Sequence, residues 1–379
     1  MTQEPFIQDV LPWLRLTLVP GVTPRVQREL LHAFGGPQAV LEAPVAQLAA
    51  VAEAAAVEAL LRGPSPALLE RTLRWLEASD HHLIALGDPR YPQALLTIAD
   101  PPTVIHAVGR AELLNAPALA IVGSRNASAQ GERDANAFAT ALSNAGLCIV
   151  SGMALGIDAA AHRGGLAGPG SSIAVMGTGA DIVYPRKNLE LARELATNGC
   201  LVSEFALGTE PAAGNFPRRN RLISGLARGV LVVQAGNPSG TLITARLALE
   251  QNRDVFAIPG SIHSPLSKGC HDLIKQGAKL VEEAGDVLSE LGLQPAAPSA
   301  PPESQDEPSH PMLAAMGHAP ASLDEIVQRT GMAAARVAAQ LSRFEVEGRI
   351  ALLPGGLFQR LTPRRADFRG QAGNAYRIE

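Results

Sequence analysis

The middle of the sequence predicts an α/β fold, a Rossmann-like domain with a mostly parallel sheet. Short apolar runs that close on glycine or serine recur there: "ALAIVGS", "LCIVSG", "SIAVMGTG", "CLVSE", "GVLVVQAG" and "DVFAIPG". Runs of this kind suit strands that are buried on both faces. The segments between them, such as "ERDANAFATALSNAG" and "TLITARLALEQN", have helical spacing. Strand and helix therefore alternate, and the strands should run mostly parallel.

The chain has 379 residues, which is long enough for two or three compact domains. Residues 1–80 form a pattern of short helices with turn signals between them, which predicts a small N-terminal helical domain. Pro24 marks the start of one helix there, and Gly35 and Gly36 mark its end. The Rossmann-like domain is then predicted to span residues 81–293.

The stretch at 294–311, "QPAAPSAPPESQDEPSHP", is rich in proline, serine and acidic residues, which predicts a linker. Residues 312–379 are predicted as a winged-helix domain and tail, with three helices before a hairpin around Pro354. The expected recognition helix offers Arg336 and Arg343 beside two glutamates. We therefore favour a protein-contact or regulatory role for this domain, with duplex DNA as the alternative.

Composition limits the class of protein. The 32 Lys and Arg residues against 36 Asp and Glu leave a formal net charge of -4, so any anion site must be local. The three cysteines are far apart, which argues against a disulfide framework and a structural zinc site. The N-terminal sequence has no basic and apolar leader, and the apolar stretches are interrupted by proline and glutamate. We expect a cytoplasmic protein that does not contact a membrane.

Four loops rich in glycine, serine and threonine follow predicted strands, at residues 123–128, 151–156, 177–181 and 236–241. Because the carboxyl ends of parallel strands lie at one edge of a sheet, these loops should lie together there. Their amides and hydroxyls suit phosphate groups. Any one of them alone is better explained as a tight turn that needs glycine. Four together, beside an arginine cluster, favour a phosphate site.

The arginine cluster lies in "FPRRNRLISGLARG", residues 216–229. Residues 211–249 contain five arginines and no aspartate or glutamate. An arginine fork binds phosphate oxygens bidentately, so this segment predicts an anionic ligand. Arg228 and Arg246 are interpreted as solvated residues on helix faces.

Two common phosphate ligands do not fit the sequence. "GTGADI" supplies only two glycines of the dinucleotide fingerprint, and it follows a later strand than that fingerprint requires. The P-loop pattern G-x-x-x-x-G-K-[ST] is missing as well. NAD and ATP are therefore disfavoured, and we expect no cofactor.

The motifs "IVGSRNAS", "SGMALGIDAAAH", "AVMGTGADIVYPRKNLEL", "SEFALGTEP", "FPRRNRLISGLARGVLVVQAGNPSGTLITARLALEQNRDVFAIPG" and "SKGCHDLIKQGA" resemble the DNA-processing protein A family, also called Smf. The likeness covers roughly residues 80–290 in order. It implies a homodimer of bacterial natural transformation and recombination that binds and protects single-stranded DNA and helps to load the RecA recombinase. It also implies no established catalytic reaction, and an N-terminal domain of sterile-alpha-motif-like or helix-hairpin-helix-like type.

The resemblance also implies site residues. The family's phosphate loop falls on Gly123, Ser124, Arg125 and Ser128, and its basic segment falls on Phe216, Arg218, Arg219, Asn220 and Arg221. Gly152, Gly240, Thr241 and Lys268 complete the predicted DNA-binding set. Phe216 is predicted as a stacking surface, with a place in the core as the alternative. Aromatic residues are only 4% of the chain, so phosphate contacts should dominate the affinity and sequence preference should be weak.

The alternative is an enzyme. The sheet-edge motifs also resemble nucleotide phosphoribohydrolases, but Thr244 stands where the catalytic glutamate would be. A hydroxyl cannot replace that carboxylate as a general base. Two further sets, Ser151 with Asp158 and His162, and Cys270 with His271 and Asp272, have the residue types of a nucleophile and its partners. His162 is predicted on a helix as a packing residue, and adjacent helical residues do not face one another.

Overall fold

The computed structural model describes residues 3–293, 310–317, 319–353 and 355–361. The chain divides into two compact units, Met1–Ser299 and Ala300–Glu379. The predicted linker lies almost wholly outside the described residues, as do Pro354 and the tail from residue 362 onward. The boundary that we predict at residue 80 falls inside the first unit.

In the described part of the first unit, nine strands form one sheet in the order β1-β2-β6-β5-β4-β3-β7-β8-β9. The strands are β1 (His81–Ala85), β2 (Val104–Gly109), β3 (Ala118–Val122), β4 (Cys148–Ser151), β5 (Ser172–Val175), β6 (Cys200–Ser203), β7 (Gly229–Val232), β8 (Asp254–Ala257) and β9 (Lys279–Leu280). From β6 to β9 every neighbouring pair is parallel, while β2 pairs antiparallel with both β1 and β6. The predicted mostly parallel sheet is confirmed, and the six apolar runs are β3 to β8.

Helices cover both faces of this sheet. The helices of the first unit are α1 (Gln3–Thr17), α2 (Pro24–Phe34), α3 (Pro37–Glu42), α4 (Val45–Leu48), α5 (Ala54–Arg62), α6 (Pro66–Trp75), α7 (Ala129–Asn144), α8 (Ile157–Leu166), α9 (Leu189–Asn198), α10 (Asn215–Leu226), α11 (Gly240–Glu250), α12 (Lys268–Lys275) and α13 (Ala284–Glu290). Residues of α10, α11 and α12 pack on one face, and residues of α7, α8 and α13 pack on the other. This is the doubly wound arrangement that alternating strands and helices predict.

The N-terminal helices have a core of their own and also join the sheet. Leu16, Leu30 and Leu60 belong to a buried cluster within the helical segment. Leu14 of α1 instead shares a cluster with Leu83 of β1 and with β2. Helix α2 begins and ends where the sequence predicts, because the Thr23 hydroxyl caps Val26 N–H and Gly35 takes the left-handed conformation at the other end.

The second unit is a small helical fold with a three-stranded sheet among its described residues. It contains α14 (Pro311–Met316), β10 (Ala321–Ser322), α15 (Leu323–Thr330), α16 (Ala334–Val346), β11 (Ile350–Leu353) and β12 (Leu357–Arg360). The sheet order is β10-β12-β11, and all three strands pair antiparallel. Leu313, Ile326, Leu341 and Phe344 form its core. Three helices followed by a hairpin confirm the predicted winged-helix pattern.

Candidate nucleic-acid interface

The chain crosses from one half of the parallel sheet to the other beside β3. Strand β4 lies on one side of β3 and β7 on the other, with Ala120 opposite both Val150 and Val230. In open α/β sheets the crevice at such a reversal, beyond the carboxyl ends of the strands, is where ligands bind. The predicted loops at 123–128, 151–156, 177–181 and 236–241 follow β3, β4, β5 and β7, so the fold brings all four to this edge.

The loop after β3 is held in place by Gln234, which follows β7. The Ser124 amide donates to the Gln234 carbonyl at 2.8 Å, and the Ser128 amide donates to the side-chain oxygen at 3.0 Å. The Gln234 amide nitrogen donates to the Ser128 hydroxyl at 2.8 Å, and that hydroxyl also caps α7 by accepting from Gly131 N–H. Gln234 is not among the site residues predicted from the sequence. The predicted Ser128 hydroxyl therefore already has partners within the fold.

Gly123 allows the same loop to pack against the start of α8. A Cβ atom at residue 123 would lie 2.5 Å from a side-chain carbon of Ile157, which is closer than such atoms approach. The Ile157 amide donates to the Ser124 carbonyl at 3.2 Å. The loops after β3 and β4 thus form one packed surface, and glycine at residue 123 is required for this contact.

Arg125 projects from this surface into solvent. Its guanidinium lies over the ring of Phe216, with the guanidinium carbon 5.5 Å from the ring centroid. No carboxylate of the described residues pairs with it. An exposed arginine over an aromatic face keeps its donors available for an anion.

Phe216 and Tyr184 form an aromatic pair beside Arg125. Phe216 is half-buried against the backbone after β5, where a Cβ atom at Gly177 would lie 2.7 Å from the ring. Tyr184 is 45% exposed, and its ring centroid lies 5.7 Å from that of Phe216. Tyr184 is not among the predicted site residues, although an aromatic residue within "GTGADIVYPRK" is a usable signal. Arg186 and Lys187, two exposed cations, follow it.

Arg219 points the opposite way, into the protein. Arg219 is only 4% exposed, and its guanidinium donates to the carbonyl oxygens of Gly152 and Val175. Burial lowers the pKa of Arg219 to about 10, although the nearby Asp158 carboxylate acts in the opposite direction. The prediction that Arg219 offers its guanidinium to a phosphate is not supported by this placement. Arg219 instead links the carboxyl ends of β4 and β5 through these two hydrogen bonds.

The neighbours of Arg219 explain two other predicted residues. A Cβ atom at Gly152 would lie 2.7 Å from the Arg219 guanidinium, so glycine leaves the space that the arginine fills. The Asn220 side-chain oxygen accepts from Arg219 Nε at 3.2 Å. Asp158 accepts from the amides of Gly152 and Ala154, and burial raises the pKa of this carboxyl. These contacts place Gly152 and Asn220 in the support of Arg219.

Arg218 and Arg221 both reach Glu204, which follows β6. Arg218 Nη2 lies 2.9 Å from a Glu204 oxygen, and Arg221 Nη2 contacts the same oxygen. Arg221 is buried, whereas the guanidinium of Arg218 lies partly exposed over Phe205 at 5.2 Å. Of the three arginines predicted on this segment as phosphate contacts, Arg218 is exposed and the other two are buried.

The remaining predicted residues lie at the starts of α11 and α12. Gly240 opens α11, and the Thr241 amide donates to the Ser239 hydroxyl at 3.1 Å. Thr241 is buried. Lys268 opens α12, and its ammonium donates to the Ile262 carbonyl. Gly240 and Lys268 are both exposed.

In the first residue set considered for catalysis, the Ser151 side chain lies beside the Asp158 carboxyl, but His162 does not join them. The Ser151 hydroxyl donates to the Ile121 carbonyl at 2.7 Å, while His162 Nδ1 lies 2.8 Å from the Ser172 hydroxyl. Burial lowers the pKa of His162 to about 3. Thr244 is buried in α11.

The second set is likewise separated. Cys270 is buried with its sulfur 3.7 Å from the Val232 and Val233 carbonyl oxygens, and His271 Nε2 lies 3.0 Å from the Gly260 carbonyl. Asp272 accepts from the Asn237 amide at 2.7 Å. Across the described ranges no group of His, Cys, Asp and Glu is arranged to hold a metal ion. In the same ranges no helix has the length and apolar character needed to cross a bilayer.

The sequence and the fold have close matches. Residues 82–292 match the family described as DNA recombination-mediator protein A, and residues 294–356 match the DprA winged helix domain. The chain belongs to the DNA-processing protein A (DprA/Smf) family. The family match at residues 82–292 contains every predicted site residue.

Individual relatives agree with this membership. Protein Smf of Escherichia coli (strain K12) is 45% identical over 298 residues, which is 76% of this chain and 80% of the relative. DNA processing protein DprA of Streptococcus pneumoniae (strain ATCC BAA-255 / R6) is 44% identical over 227 residues, 58% of this chain and 80% of the relative.

Two solved structures share the fold. The X-ray structure of DNA processing protein A from Streptococcus pneumoniae has a TM-score of 0.65 at 39% identity, covering 73% of this chain and 95% of that one. DNA processing protein A from Helicobacter pylori has a TM-score of 0.51 at 30% identity, covering 56% and 95%. The Helicobacter pylori protein has a unique single-stranded DNA binding mode.

Proposed function

We propose that this protein binds single-stranded DNA at the carboxyl edge of its sheet, protects incoming strands in natural transformation and helps to load the RecA recombinase. The observation that carries the proposal is the exposed Arg125 guanidinium over Phe216, with Tyr184 beside it. This arrangement offers a cation for phosphate and aromatic faces for bases in one place. The Helicobacter pylori relative, with its single-stranded DNA binding mode, supports the choice of ligand.

The binding mode follows from the kind of groups at this edge. Arg125 supplies a charge that neutralises a phosphate, and Phe216 and Tyr184 supply faces on which any base can stack. None of these contacts reads the hydrogen-bonding edge of a base. Binding should therefore be nearly independent of sequence and strongly dependent on salt. A single strand is the ligand because its bases are free to stack, whereas those of a duplex are already paired.

The test is a comparison of ligands by fluorescence anisotropy across a salt series. A labelled oligothymidine and a mixed-sequence single strand should bind alike, and a duplex of the same length should bind more weakly. Log Kd plotted against log salt should have the slope expected of a single strand, about 0.7 per phosphate contact. Equal affinity for strand and duplex after removal of residues 294–379 would contradict the proposal, because the first unit would then show no preference.

The catalytic alternative has its own measurement. Thr244 supplies no carboxylate for nucleotide hydrolysis. Incubation of the full chain with nucleoside monophosphates should release no free base above background. Sustained release would favour the phosphoribohydrolase interpretation instead.

The partner proposals need separate experiments. We propose a homodimer, to be tested by light scattering coupled to size-exclusion chromatography. RecA loading is tested by the rate of RecA assembly on a strand covered by single-strand binding protein, which this protein should increase. The winged-helix domain is proposed to contact protein, and a duplex that binds the full chain but not residues 1–293 would instead favour the duplex alternative.

A further inference from the structure

Arg218 pairs with Glu204, a carboxylate that also pairs with Arg221. One oxygen of Glu204 accepts from both Arg218 and Arg221. The Glu204 side chain is 1% exposed, and its other oxygen is buried without a hydrogen-bond partner among the described residues. A buried carboxylate needs a counter-charge, and here two are within contact distance.

The charges around Glu204 are balanced without Arg218. Arg221 lies 3.4 Å from Asp100 as well as against Glu204, and Arg28 of α2 contacts Asp100 and donates to the Pro101 carbonyl. Arg28, Asp100, Arg221 and Glu204 therefore hold two positive and two negative charges. Arg218 is an additional cation. If it left, the buried Glu204 would keep Arg221, whereas loss of Arg221 would leave Glu204 with only the partly exposed Arg218.

The position of Arg218 allows it to leave. Its side chain is 41% exposed, against 10% for Arg221. It lies in the first turn of α10, two residues after Phe216, at a helix start whose backbone amides receive no side-chain cap from the described residues. The positive end of a helix attracts anions. Arg218 is thus a solvent-accessible arginine, on the same helical turn as Phe216, that is not needed for charge balance.

We propose that Arg218 transfers from Glu204 to a DNA phosphate when a strand binds, and that Glu204 is the positioning residue that holds it in the free protein. The inference rests on the proposed function. Glu204 and a DNA phosphate compete for the same guanidinium. The pair with Glu204 in the free protein therefore lowers the affinity that Arg218 contributes. On binding, the hydrogen bond from Arg218 to a carboxylate is exchanged for one to phosphate, and Arg221 alone neutralises Glu204.

The experiment is a double-mutant cycle on the full chain, with oligothymidine binding measured across a salt series. Arg218→Ala should weaken binding and lower the salt slope by about 0.7, because one phosphate contact is lost. Glu204→Gln should strengthen binding by about threefold, the size of one ion pair on a partly exposed arginine that no longer has to be broken, with an unchanged slope. The double variant should bind like Arg218→Ala. A gain from Glu204→Gln that persists without Arg218 would overturn the proposal, because it would be a general effect of charge.

Two controls keep the result interpretable. Arg193→Ala removes an exposed arginine that pairs with Glu190 on α9, and it should leave both affinity and slope unchanged. Should Glu204→Gln fail to fold in thermal melts, Arg218→Ala and Arg218→Gln with native Glu204 decide the question, and an unchanged slope in both overturns the inference. Arg125→Ala is measured in parallel. If it weakens binding while Arg218→Ala does not, only this inference fails, and if neither does, the proposed site fails as well.

Discussion

The loop after β3 and the first half of α10 were both predicted to grip phosphate, but they present their arginines in opposite ways. In the loop, the backbone is fixed by Gln234 and Arg125 is left exposed over Phe216. On α10, Arg219 donates to carbonyl oxygens inside the protein and Arg221 pairs with buried Glu204. The first region holds its cation out to solvent, and the second uses most of its cations to hold the fold together.

The difference teaches that a local excess of arginine does not measure available charge. Residues 211–249 contain no aspartate or glutamate, yet the arginines of α10 have acidic neighbours from elsewhere in the chain. Asp158 lies by Arg219, and Glu204 and Asp100 pair with Arg221. Because these partners are distant in sequence, only the folded structure separates the structural arginines from those that are free to bind.

The largest expected effect is on folding. Arg219→Ala should lower the free energy of unfolding by about 3–5 kcal/mol, because the carbonyl oxygens of Gly152 and Val175 each lose a hydrogen bond from a charged donor. Urea unfolding followed by circular dichroism measures this loss. Arg228→Ala, at an exposed position, should change stability by less than about 0.5 kcal/mol. A stability of Arg219→Ala equal to that of the control would remove the contrast between the two regions.

A second effect is on the pH dependence of stability. Burial lowers the pKa of His162 to about 3 and that of His106 to about 4, so these residues stay neutral when folded. Between about pH 4 and 6.5 the unfolded chain binds more protons, and stability should therefore fall as pH falls below 6.5. Each histidine should cost roughly 2 kcal/mol on going from pH 7.5 to 5.

Urea unfolding at the two pH values checks this, with His162→Gln expected to show a smaller loss than the parent protein. The raised pKa of Asp158 acts in the opposite direction, since the folded carboxyl takes up a proton more readily than the unfolded one. The difference between parent and variant removes that shared contribution. Identical losses in the two proteins would show that His162 is protonated in the folded state.

A third effect is on binding alone. Arg125→Ala should weaken single-strand binding about tenfold, the size of one hydrogen bond to a charged group, and should lower the salt slope by about 0.7. Its melting temperature should match that of the parent, since the Arg125 side chain is exposed. Anisotropy titrations and thermal melts on the same samples separate the two readouts. A lower melting temperature with an unchanged slope would place Arg125 with the structural arginines.

The smallest effect is expected for the aromatic pair. Tyr184→Ala should weaken binding by about 1 kcal/mol, the lower end for one stacked base, and should leave the salt slope unchanged because no phosphate contact is lost. An oligonucleotide with an abasic site at the stacked position should bind parent and variant equally. A loss of the same size on the abasic strand would mean that Tyr184 acts without stacking.

The sequence predicted the interior of the sheet well and its edges poorly. Strands β3 to β8 are continuous apolar runs, since both of their faces are covered by helices. Strand β2 is equally buried but contains His106, and β9 has only two residues, so neither has a comparable pattern. The helical segment before residue 80 is predicted as a domain of its own; Leu16, Leu30 and Leu60 belong to a core within it, and Leu14 also packs in one cluster with Leu83.

The candidate site shows the same limit. Glycine-rich loops at strand ends are visible in sequence because their position follows from the parallel sheet. Gln234 and Tyr184 were missed because their importance depends on which loops become neighbours, and that is set by strand order. The direction in which Arg219 points is likewise set by carbonyl groups of β4 and β5, which no side-chain pattern records.

The bridge from Gln234 to Ser128 spans 106 positions of the chain. During synthesis the loop that presents Arg125 leaves the ribosome long before β7 does, and it cannot take its final shape until β7 has docked beside β3. Closing so long a segment is slow. Its entropy cost is part of folding, before any single-stranded DNA binds. A chain that lacks β7 therefore cannot order the loop at 123–128. In the folded protein the loop is already ordered, so DNA binding does not have to pay the entropy cost of ordering it.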